Sequence, residues 1–280
     1  MPEMPEVEVL VRRLRPLLCG KTIRSVKVHR ARATRPTIPA TLEKTLTGAK
    51  FTDLSRRGKY LLFQLQPKKS KSPLTVLGHL GMTGRMFLAL KKEELPRHTA
   101  VVFDLGAHNF IYEDFRYFGR MTLDLSSIQS LGPEPSDLSP EIFAASLKNS
   151  RQPIKVKLLD QQLIAGVGNI YASEALYRAH ISPKLAANKL TSAQAKNLLH
   201  AILEVLDEAI KFGSTVPLKT MSGKSDAFFY FGDGGEGFYQ ERLRVYDRVG
   251  TSCPTCGTKI QRITQAARST YFCSYCQKSR

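Results

Sequence analysis

The chain has 280 residues, enough for two domains, and its 42% hydrophobic content is ordinary for a globular protein. No apolar run reaches the length of a membrane span and no signal-peptide core follows the first residues, so we expect a cytoplasmic protein without a membrane partner. Forty-two Lys and Arg residues against 24 Asp and Glu residues give a net charge of +18. This excess favours a polyanionic partner, with nucleic acid first and an anionic membrane surface as the weaker alternative.

The first eight residues combine proline with three carboxylates. Met1 precedes a small residue and is expected to be removed, which leaves Pro2 as a free secondary amine. A chain-end amine titrates near pH ~8, so part of it is nucleophilic at neutral pH, and Glu3, Glu6 and Glu8 are close enough in sequence to transfer protons. The same residue types are also common in an ordinary first helical turn. Both interpretations stay open at this point.

The next hundred residues change from helical to alternating periodicity. Residues 5–18 carry apolar side chains at helical spacing and predict an amphipathic helix. Short apolar segments between 21 and 125, separated by Gly, Pro and polar residues, predict the strands of a β-sandwich or barrel. The predicted strands cover residues 23–28, 49–54, 60–63, 74–77, 100–103 and 110–112.

Two segments in this region, 81–84 and 114–119, have the composition of strand ends or tight loops. They carry Met82, Arg116 and Phe118. Such side chains on exposed loops can wedge into a stack of base pairs. Core packing of Met82 and Phe118 is the alternative.

A Pro-rich polar segment at 131–137 predicts a linker, and helical signals follow it. Ser139 has the form of an N-cap followed by proline, and residues 191–194 have the form of a capping box. Gly166-Val167-Gly168-Asn169 precedes another predicted helix, whose free N–H groups suit an anion. A plain cap with Asn169 as the N-cap residue explains that segment equally well. Residues 213–240 show no periodicity and predict a long irregular loop of the kind that is often functional.

Four of the five cysteines form two C-x2-C pairs near the C-terminus. They are Cys253, Cys256, Cys273 and Cys276. This spacing predicts a tetrahedral structural zinc site, because four thiolates leave no position for a catalytic water; four buried thiols or another metal are the alternatives. Arg262 and Arg268 lie in the spacer, and we expect them at the tip of a metal-held hairpin that enters a groove or grips phosphates.

Together these motifs resemble the bacterial formamidopyrimidine-DNA glycosylase family over nearly the whole chain. The matching segments, in order, are 2–8, 57–61, 79–84, 131–135, 166–174 and the four-cysteine finger. The resemblance implies an α+β fold in which an N-terminal helix and a β-sandwich precede a helical, helix–two-turn–helix domain with a zinc-finger β-hairpin. The implied boundaries are 1–130 for the catalytic sandwich domain, 131–140 for the linker, 141–240 for the helical DNA-binding domain and 241–280 for the finger.

The resemblance also implies a bifunctional enzyme of base excision repair, a DNA glycosylase and AP lyase. An oxidised purine, such as 8-oxoguanine or a formamidopyrimidine, is flipped out of duplex DNA, Pro2 forms a Schiff base with its deoxyribose, and β,δ-elimination cuts the strand. Glu3 matches the general acid/base of the family and Lys59 a proton donor in the elimination. Glu6 and Glu174 match acidic residues that support the active-site end of the helix.

Further residues match DNA-contacting positions of the family. Met82, Arg116 and Phe118 match the trio that fills the gap left by the extruded base. The other matches are His79, His98, Lys155, Asn169 and Arg268, with Lys59 again among the phosphate contacts. Ser214 and Thr215 lie in segment 214–239, which resembles the loop over the damaged base.

The wedge segment departs from the family at two positions. The family usually has Pro and Arg where this chain has Phe115 and Tyr117. A positive charge is therefore missing at Tyr117.

The resemblance implies one structural Zn2+ per chain, a monomer, and duplex DNA with oxidised purine or abasic sites as the partner, in the bacterial cytoplasm at the nucleoid. One alternative is an endonuclease VIII-type glycosylase for oxidised pyrimidines, which usually lacks the gap-filling trio. The other is a non-catalytic protein that binds damaged DNA, which has no need of Pro2 with Glu3.

Overall fold

The computed structural model describes residues 2–68, 70–212 and 242–278, which fall into two compact units. Unit 1 contains Pro2 and Glu6–Gln129, and unit 2 contains Glu3–Pro5 and the described residues from Ser130 onward. None of the described helices has both the length and the apolar character that a membrane span needs. The domain boundaries implied above stay predictions.

The described residues of unit 1 form two four-stranded antiparallel sheets and three α-helices. The strands are β1 (Ser25–Val28), β2 (Lys50–Arg57), β3 (Tyr60–Gln66), β4 (Leu74–His79), β5 (Gly84–Leu90), β6 (Thr99–Asp104), β7 (His108–Asp114) and β8 (Arg120–Thr122). The helices are α1 (Met4–Leu18), α2 (Pro39–Leu46) and α3 (Ser126–Gln129). The strand orders are β1-β6-β7-β5 and β2-β3-β4-β8. Both sheets contribute to one core, with Phe63 from the second sheet and Phe103 and Phe110 from the first, which confirms the predicted sandwich.

Helix α1 covers this core with its apolar stripe. Val7, Leu10, Leu14 and Leu18 are fully or almost fully buried, as the helical spacing predicts. The helix begins at Met4, one residue before the predicted start. Gly20 follows its end with a φ of +86°, a conformation that glycine adopts at little cost.

Four elements of unit 1 were not predicted: helices α2 and α3 and strands β5 and β8. Strand β5 lies at a sheet edge and pairs with β7 along its whole length. Its residues Phe87 and Leu88, on opposite faces, are both half-buried against the core, so the strand shows no alternation of apolar and polar residues. Strand β8 has three residues, too few for any periodic signal.

Unit 2 is helical and carries a β-hairpin. Its elements are α4 (Pro140–Leu147), α5 (Ile154–Lys157), α6 (Asn169–Arg178), α7 (Ser192–Phe212), β9 (Gln261–Gln265) and β10 (Arg268–Phe272). Ser139 caps α4 by accepting a hydrogen bond from the Ile142 N–H at 3.3 Å. Thr191 and Gln194 form the predicted capping box, with reciprocal hydrogen bonds of 3.0 and 3.2 Å.

The Pro-rich segment after unit 1 is bonded into unit 2. The Gly132 N–H donates to the Gln161 carbonyl at 2.9 Å, and the Ala165 N–H donates to the Pro133 carbonyl at 2.9 Å. A side chain on Gly132 would overlap the Gln162 backbone, so glycine is needed there for close packing. Its hydrogen bonds therefore hold residues 161–168, the segment that leads into α6, in place within unit 2.

Candidate functional site

The carboxylate of Glu3 lies at the N-terminus of helix α6. It accepts hydrogen bonds from the backbone N–H groups of Ile170 at 3.0 Å and Tyr171 at 3.4 Å, and the residue is only 2% exposed. The next residue, Met4, donates its N–H to the Gly166 carbonyl at 3.1 Å. The sequence left open whether this helix start binds an anion or has a plain cap. It binds an anion, and that anion is a side chain of the protein itself.

Glycine at 168 makes this arrangement possible. A Cβ on Gly168 would lie 2.6 Å from Oε2 of Glu3 and even closer to its carboxyl carbon. Gly168 is also the N-cap residue of α6. The alternative that Asn169 is the N-cap residue is therefore wrong: Asn169 is the first helical residue, because a carboxylate 166 positions earlier binds the N–H groups that a cap would bind.

The side chain of Asn169 instead joins two other elements. Its Oδ1 accepts a hydrogen bond from Nζ of Lys155 on α5 at 2.6 Å, and its Nδ2 donates to the Ser269 carbonyl on β10 at 2.9 Å. Lys155 is 1% exposed. Burial, and secondarily the nearby Arg268, lower the pKa of Lys155 to about 8, although the negative charge of Glu3 opposes this shift. The lysine can therefore exchange its proton near neutral pH.

Glu174 is buried on the same helix and binds the segment before the finger. Its carboxylate accepts hydrogen bonds from the backbone N–H groups of Arg244, Val245 and Tyr246 at 2.8–3.0 Å. Burial raises the pKa of Glu174, and the three N–H groups oppose that rise. The glutamate therefore fixes residues 244–246 against α6.

The four cysteines of the finger come together as the spacing predicts. Their sulfur atoms all lie within 4.8 Å of one another, with 3.8 Å between Cys253 and Cys276 and 3.5 Å between Cys256 and Cys273. Four ligands at about 2.3 Å from a tetrahedral zinc ion are about 3.8 Å apart, so the donor set fits one structural zinc ion. The hydroxyl of Tyr177 on α6 lies 3.2 Å from Sγ of Cys253 and 2.7 Å from the Thr255 hydroxyl. Tyr177 thus joins the metal site to helix α6.

The zinc-finger hairpin places its two arginines differently from the prediction. Arg268 begins β10 directly after the turn at Ala266 and Ala267, whose φ values of 46° and 57° are left-handed. Arg262 instead pairs with Tyr271 toward the other end of the hairpin, so the expectation that both arginines lie at the tip is wrong. A five-residue strand on each side of a two-residue turn leaves room for one of them there.

The wedge loop of unit 1, which we define as residues 114–119, exposes its large side chains. Phe118 is 47% exposed, as is Met82 on the neighbouring turn, so the alternative of core packing is wrong for both. The Arg116 guanidinium lies 4.7 Å from the ring centroid of Phe118. This arrangement displays an arginine on an aromatic face, toward solvent.

Asp114 holds this loop, a role that was not predicted from the sequence. Its carboxylate is fully buried and accepts hydrogen bonds from the backbone N–H groups of Arg116 at 3.1 Å and Gly119 at 2.8 Å, and from the Thr83 hydroxyl at 2.6 Å. An Asp that binds the N–H two residues later is a known turn signal, and it is the one available clue.

His79 ends β4 and stacks on Tyr60, with 4.7 Å between the ring centroids. Burial, together with the positive charges of Lys59 and Arg120, lowers the pKa of His79 to about 4, so the ring is neutral at pH 7. Its Nδ1 accepts a hydrogen bond from the Gly81 N–H at 3.2 Å, which leaves Nε2 as a donor. Lys59 itself is 7% exposed.

The remaining predicted residues have these positions. The ring of His98 lies edge-on to Phe115 at 4.8 Å. Glu6 is fully buried. Glu8 forms ion pairs with Arg12 at 2.8 Å and Arg56 at 3.0 Å, so it is not a free proton carrier. Ser214 and Thr215, with the rest of segment 214–239, lie outside the described residues.

Family models match the formamidopyrimidine-DNA glycosylase N-terminal domain at residues 1–121, the H2TH domain of the same enzymes at 131–220, and the zinc finger found in FPG and IleRS at 252–278. A formamidopyrimidine-DNA glycosylase from Desulforamulus reducens is 41% identical, with all of both chains covered.

Two solved structures of the wild-type Lactococcus lactis enzyme are each 33% identical in sequence to this chain. Each superposition covers 99% of this chain and 100% of the Lactococcus lactis chain. One is a complex with DNA containing N7-benzyl-Fapy-dG, with a TM-score of 0.88, and the other a complex with DNA containing an oxidised pyrimidine, with a TM-score of 0.87. The chain therefore belongs to the formamidopyrimidine-DNA glycosylase family.

Proposed function

We propose that this protein removes oxidised purines from duplex DNA and then cuts the strand as an AP lyase, with Pro2 as its nucleophile. The observation that carries the proposal is the position of Glu3. Its carboxylate is buried and held by two N–H groups of α6, and it belongs to the residue directly bonded to Pro2. An amine nucleophile needs a proton carrier at a fixed short distance, and the peptide bond between the two residues supplies that closeness.

The reaction follows from this pair. The Pro2 nitrogen attacks C1′ of the damaged nucleotide, the bond from C1′ to the base breaks, and the base leaves with the electron pair and takes up a proton. The Pro2 nitrogen loses its N–H proton once it has bonded to C1′. A proton transferred to the ring oxygen, which we assign to Glu3, then opens the sugar, and the lone pair left on the nitrogen forms the iminium ion. Loss of a proton from C2′ then expels the 3′ phosphate, and a second elimination expels the 5′ phosphate.

The other residues have supporting roles in this proposal. Met82, Arg116 and Phe118 fill the gap left by the flipped nucleotide, and their exposure suits that role. Neutral His79 donates its Nε2–H to a phosphate, and Lys59 and Arg268 bind phosphates through their positive charges. Asn169 orients Lys155 beside the lesion. Glu6 and Glu174 support the helix ends. The four thiolates hold one zinc ion, which supplies rigidity to the finger and takes no part in the chemistry.

The test is covalent trapping with borohydride, using the protein whose Met1 removal has been verified by intact mass and DNA with 8-oxoguanine opposite cytosine. We expect one covalent complex per chain. Pro2→Leu should abolish trapping while duplex binding is kept, and Glu3→Gln, which retains the shape of the side chain, should slow trapping by about 100-fold or more. If wild-type protein binds this duplex and is never trapped, the assignment of Pro2 as the nucleophile is wrong.

Oxidised pyrimidines are the second substrate class to include, because a relative has been crystallised with DNA that contains one. Strand cleavage should be measured for a panel of oxidised purines and oxidised pyrimidines, each placed opposite all four bases. The rates show which of the two substrate classes the protein prefers. We expect formamidopyrimidine and 8-oxoguanine to be removed faster than oxidised pyrimidines.

A further inference from the structure

The wedge loop has a second cation beside it, contributed by a different part of unit 1. Arg30 follows strand β1, and its Nε donates a hydrogen bond to the Tyr117 hydroxyl at 3.2 Å. Its guanidinium carbon is also 5.9 Å from the centroid of the Tyr117 ring. We propose that Arg30, held by Tyr117, binds a backbone phosphate of the duplex next to the wedge. This inference rests on the proposed function.

Arg30 has no acidic partner within the part of the chain that the structure describes. The side chain is exposed, and none of the ion pairs among the described residues includes it. The surrounding sequence from Arg24 to Leu42 contains five Lys and Arg residues and no Asp or Glu. An arginine whose ring-facing side is stacked still presents N–H groups for a bidentate contact, which suits a phosphate.

Both members of the Arg30–Tyr117 pair lie on segments that hydrogen bonds hold in place. Tyr117 has a φ of 52°, a left-handed conformation that the loop holds through the two backbone N–H groups bound by Asp114. The segment that carries Arg30 is anchored at its other end, where the Thr37 and Thr122 hydroxyls are 2.7 Å apart and the Leu123 N–H donates to Thr37 at 2.9 Å. Both partners are thus fixed before DNA arrives, so little side-chain entropy is lost on binding.

Two arginine–aromatic pairs lie next to each other at the wedge loop. Arg116 lies over Phe118, and Arg30 lies over Tyr117, so consecutive loop residues each participate in an arginine–aromatic pair. Arg116 is assigned to the orphaned base. Arg30 supplies beside Tyr117 the positive charge that this position lacks, and it does so from another segment of the chain.

The experiment measures the salt dependence of binding to a duplex with a tetrahydrofuran abasic analogue, for wild-type, Arg30→Gln, Tyr117→Phe and the double variant. Arg32→Gln is the matched control, because Arg32 is exposed two residues away and has no aromatic partner among the described residues. Loss of one phosphate contact should lower the slope of log K against log salt by about 0.9 and weaken binding by about three- to tenfold at physiological salt. Arg32→Gln should change the slope by less than half as much.

Tyr117→Phe should weaken binding by about twofold in the wild-type background and have no effect in the Arg30→Gln background, because the hydroxyl acts only through Arg30. A phosphate contact also predicts the same loss with each of the four bases opposite the lesion. An unchanged slope for Arg30→Gln, an additive double variant, or a loss that depends on the opposite base would each overturn the inference. Wild-type protein that fails to bind the duplex at all would instead count against the proposed function.

Discussion

The contact between Gly168 and Glu3 predicts a large effect from a single methyl group. In Gly168→Ala the new Cβ lies 2.6 Å from Oε2 of Glu3, and ordinary contact begins at 3.4 Å, so the carboxylate must move by at least about 0.8 Å. Its hydrogen bonds to Ile170 and Tyr171, now 3.0 and 3.4 Å long, then exceed hydrogen-bonding distance. Each hydrogen bond to a charged group contributes about 1.5–3 kcal/mol, so we expect unfolding free energy to fall by about 3 kcal/mol.

The rate should fall further than stability explains. A displacement near 1 Å of a catalytic group costs about 100-fold in rate, so single-turnover removal of 8-oxoguanine should slow by about that factor at a temperature where the variant is folded. Gly250→Ala is the control. Gly250 has a φ of +80° and open space around its Cα, so alanine there incurs only left-handed strain of about 1–2 kcal/mol and leaves the rate unchanged. A folded Gly168→Ala protein with the wild-type single-turnover rate would refute the assignment of Glu3.

Three further predictions concern unit 2. The pKa of Lys155 is about 8, below the ~10.4 of an unfolded lysine, so the unfolded state binds more protons between these values and the free energy of unfolding gains from this residue as pH rises from 8 to 10. Lys155→Met should remove that gain, which is measured as the difference in Tm between the two proteins at each pH. A difference in Tm that stays constant with pH would contradict this prediction. Tyr177→Phe loses the hydrogen bonds to Cys253 and Thr255, so zinc transfer to a chelator should be about tenfold faster, whereas Tyr275→Phe, at an exposed position, should match wild-type. Ala267→Gly relieves a left-handed alanine and should raise unfolding free energy by about 1 kcal/mol in thermal denaturation; a lower Tm would show that the turn is not strained.

The elements with strong local signals were predictable from the sequence. The capping box at Thr191, the apolar stripe of α1 and the paired cysteines each depend on residues a few positions apart, and the structure contains all three. Strand β5 was missed because its two faces are both partly buried, which removes the alternation on which a strand prediction depends.

The site was harder to predict because its contacts join distant segments. Nothing near Gly168 in the sequence indicates that the N–H groups after it bind Glu3, and a local cap at Asn169 was the natural alternative. The hydrogen bonds of Asp114 within the wedge loop and the contact of Arg30 with Tyr117 were likewise not predicted. Asp114 binds the backbone N–H groups of its own turn, and Arg30 contacts an aromatic residue 87 positions away. Sequence periodicity predicts neither kind of contact.

The two hydrogen bonds of Asn169 have a consequence for sequence change at this site. One amide group must accept from Lys155 and donate to the Ser269 carbonyl at the same time, so its orientation is fixed from both sides. Aspartate keeps the acceptor and loses the donor, and a longer glutamine moves both atoms outward. A substitution of Lys155 therefore also removes one of the two hydrogen bonds that orient the Asn169 amide, and so disturbs the contact of α6 with the finger hairpin.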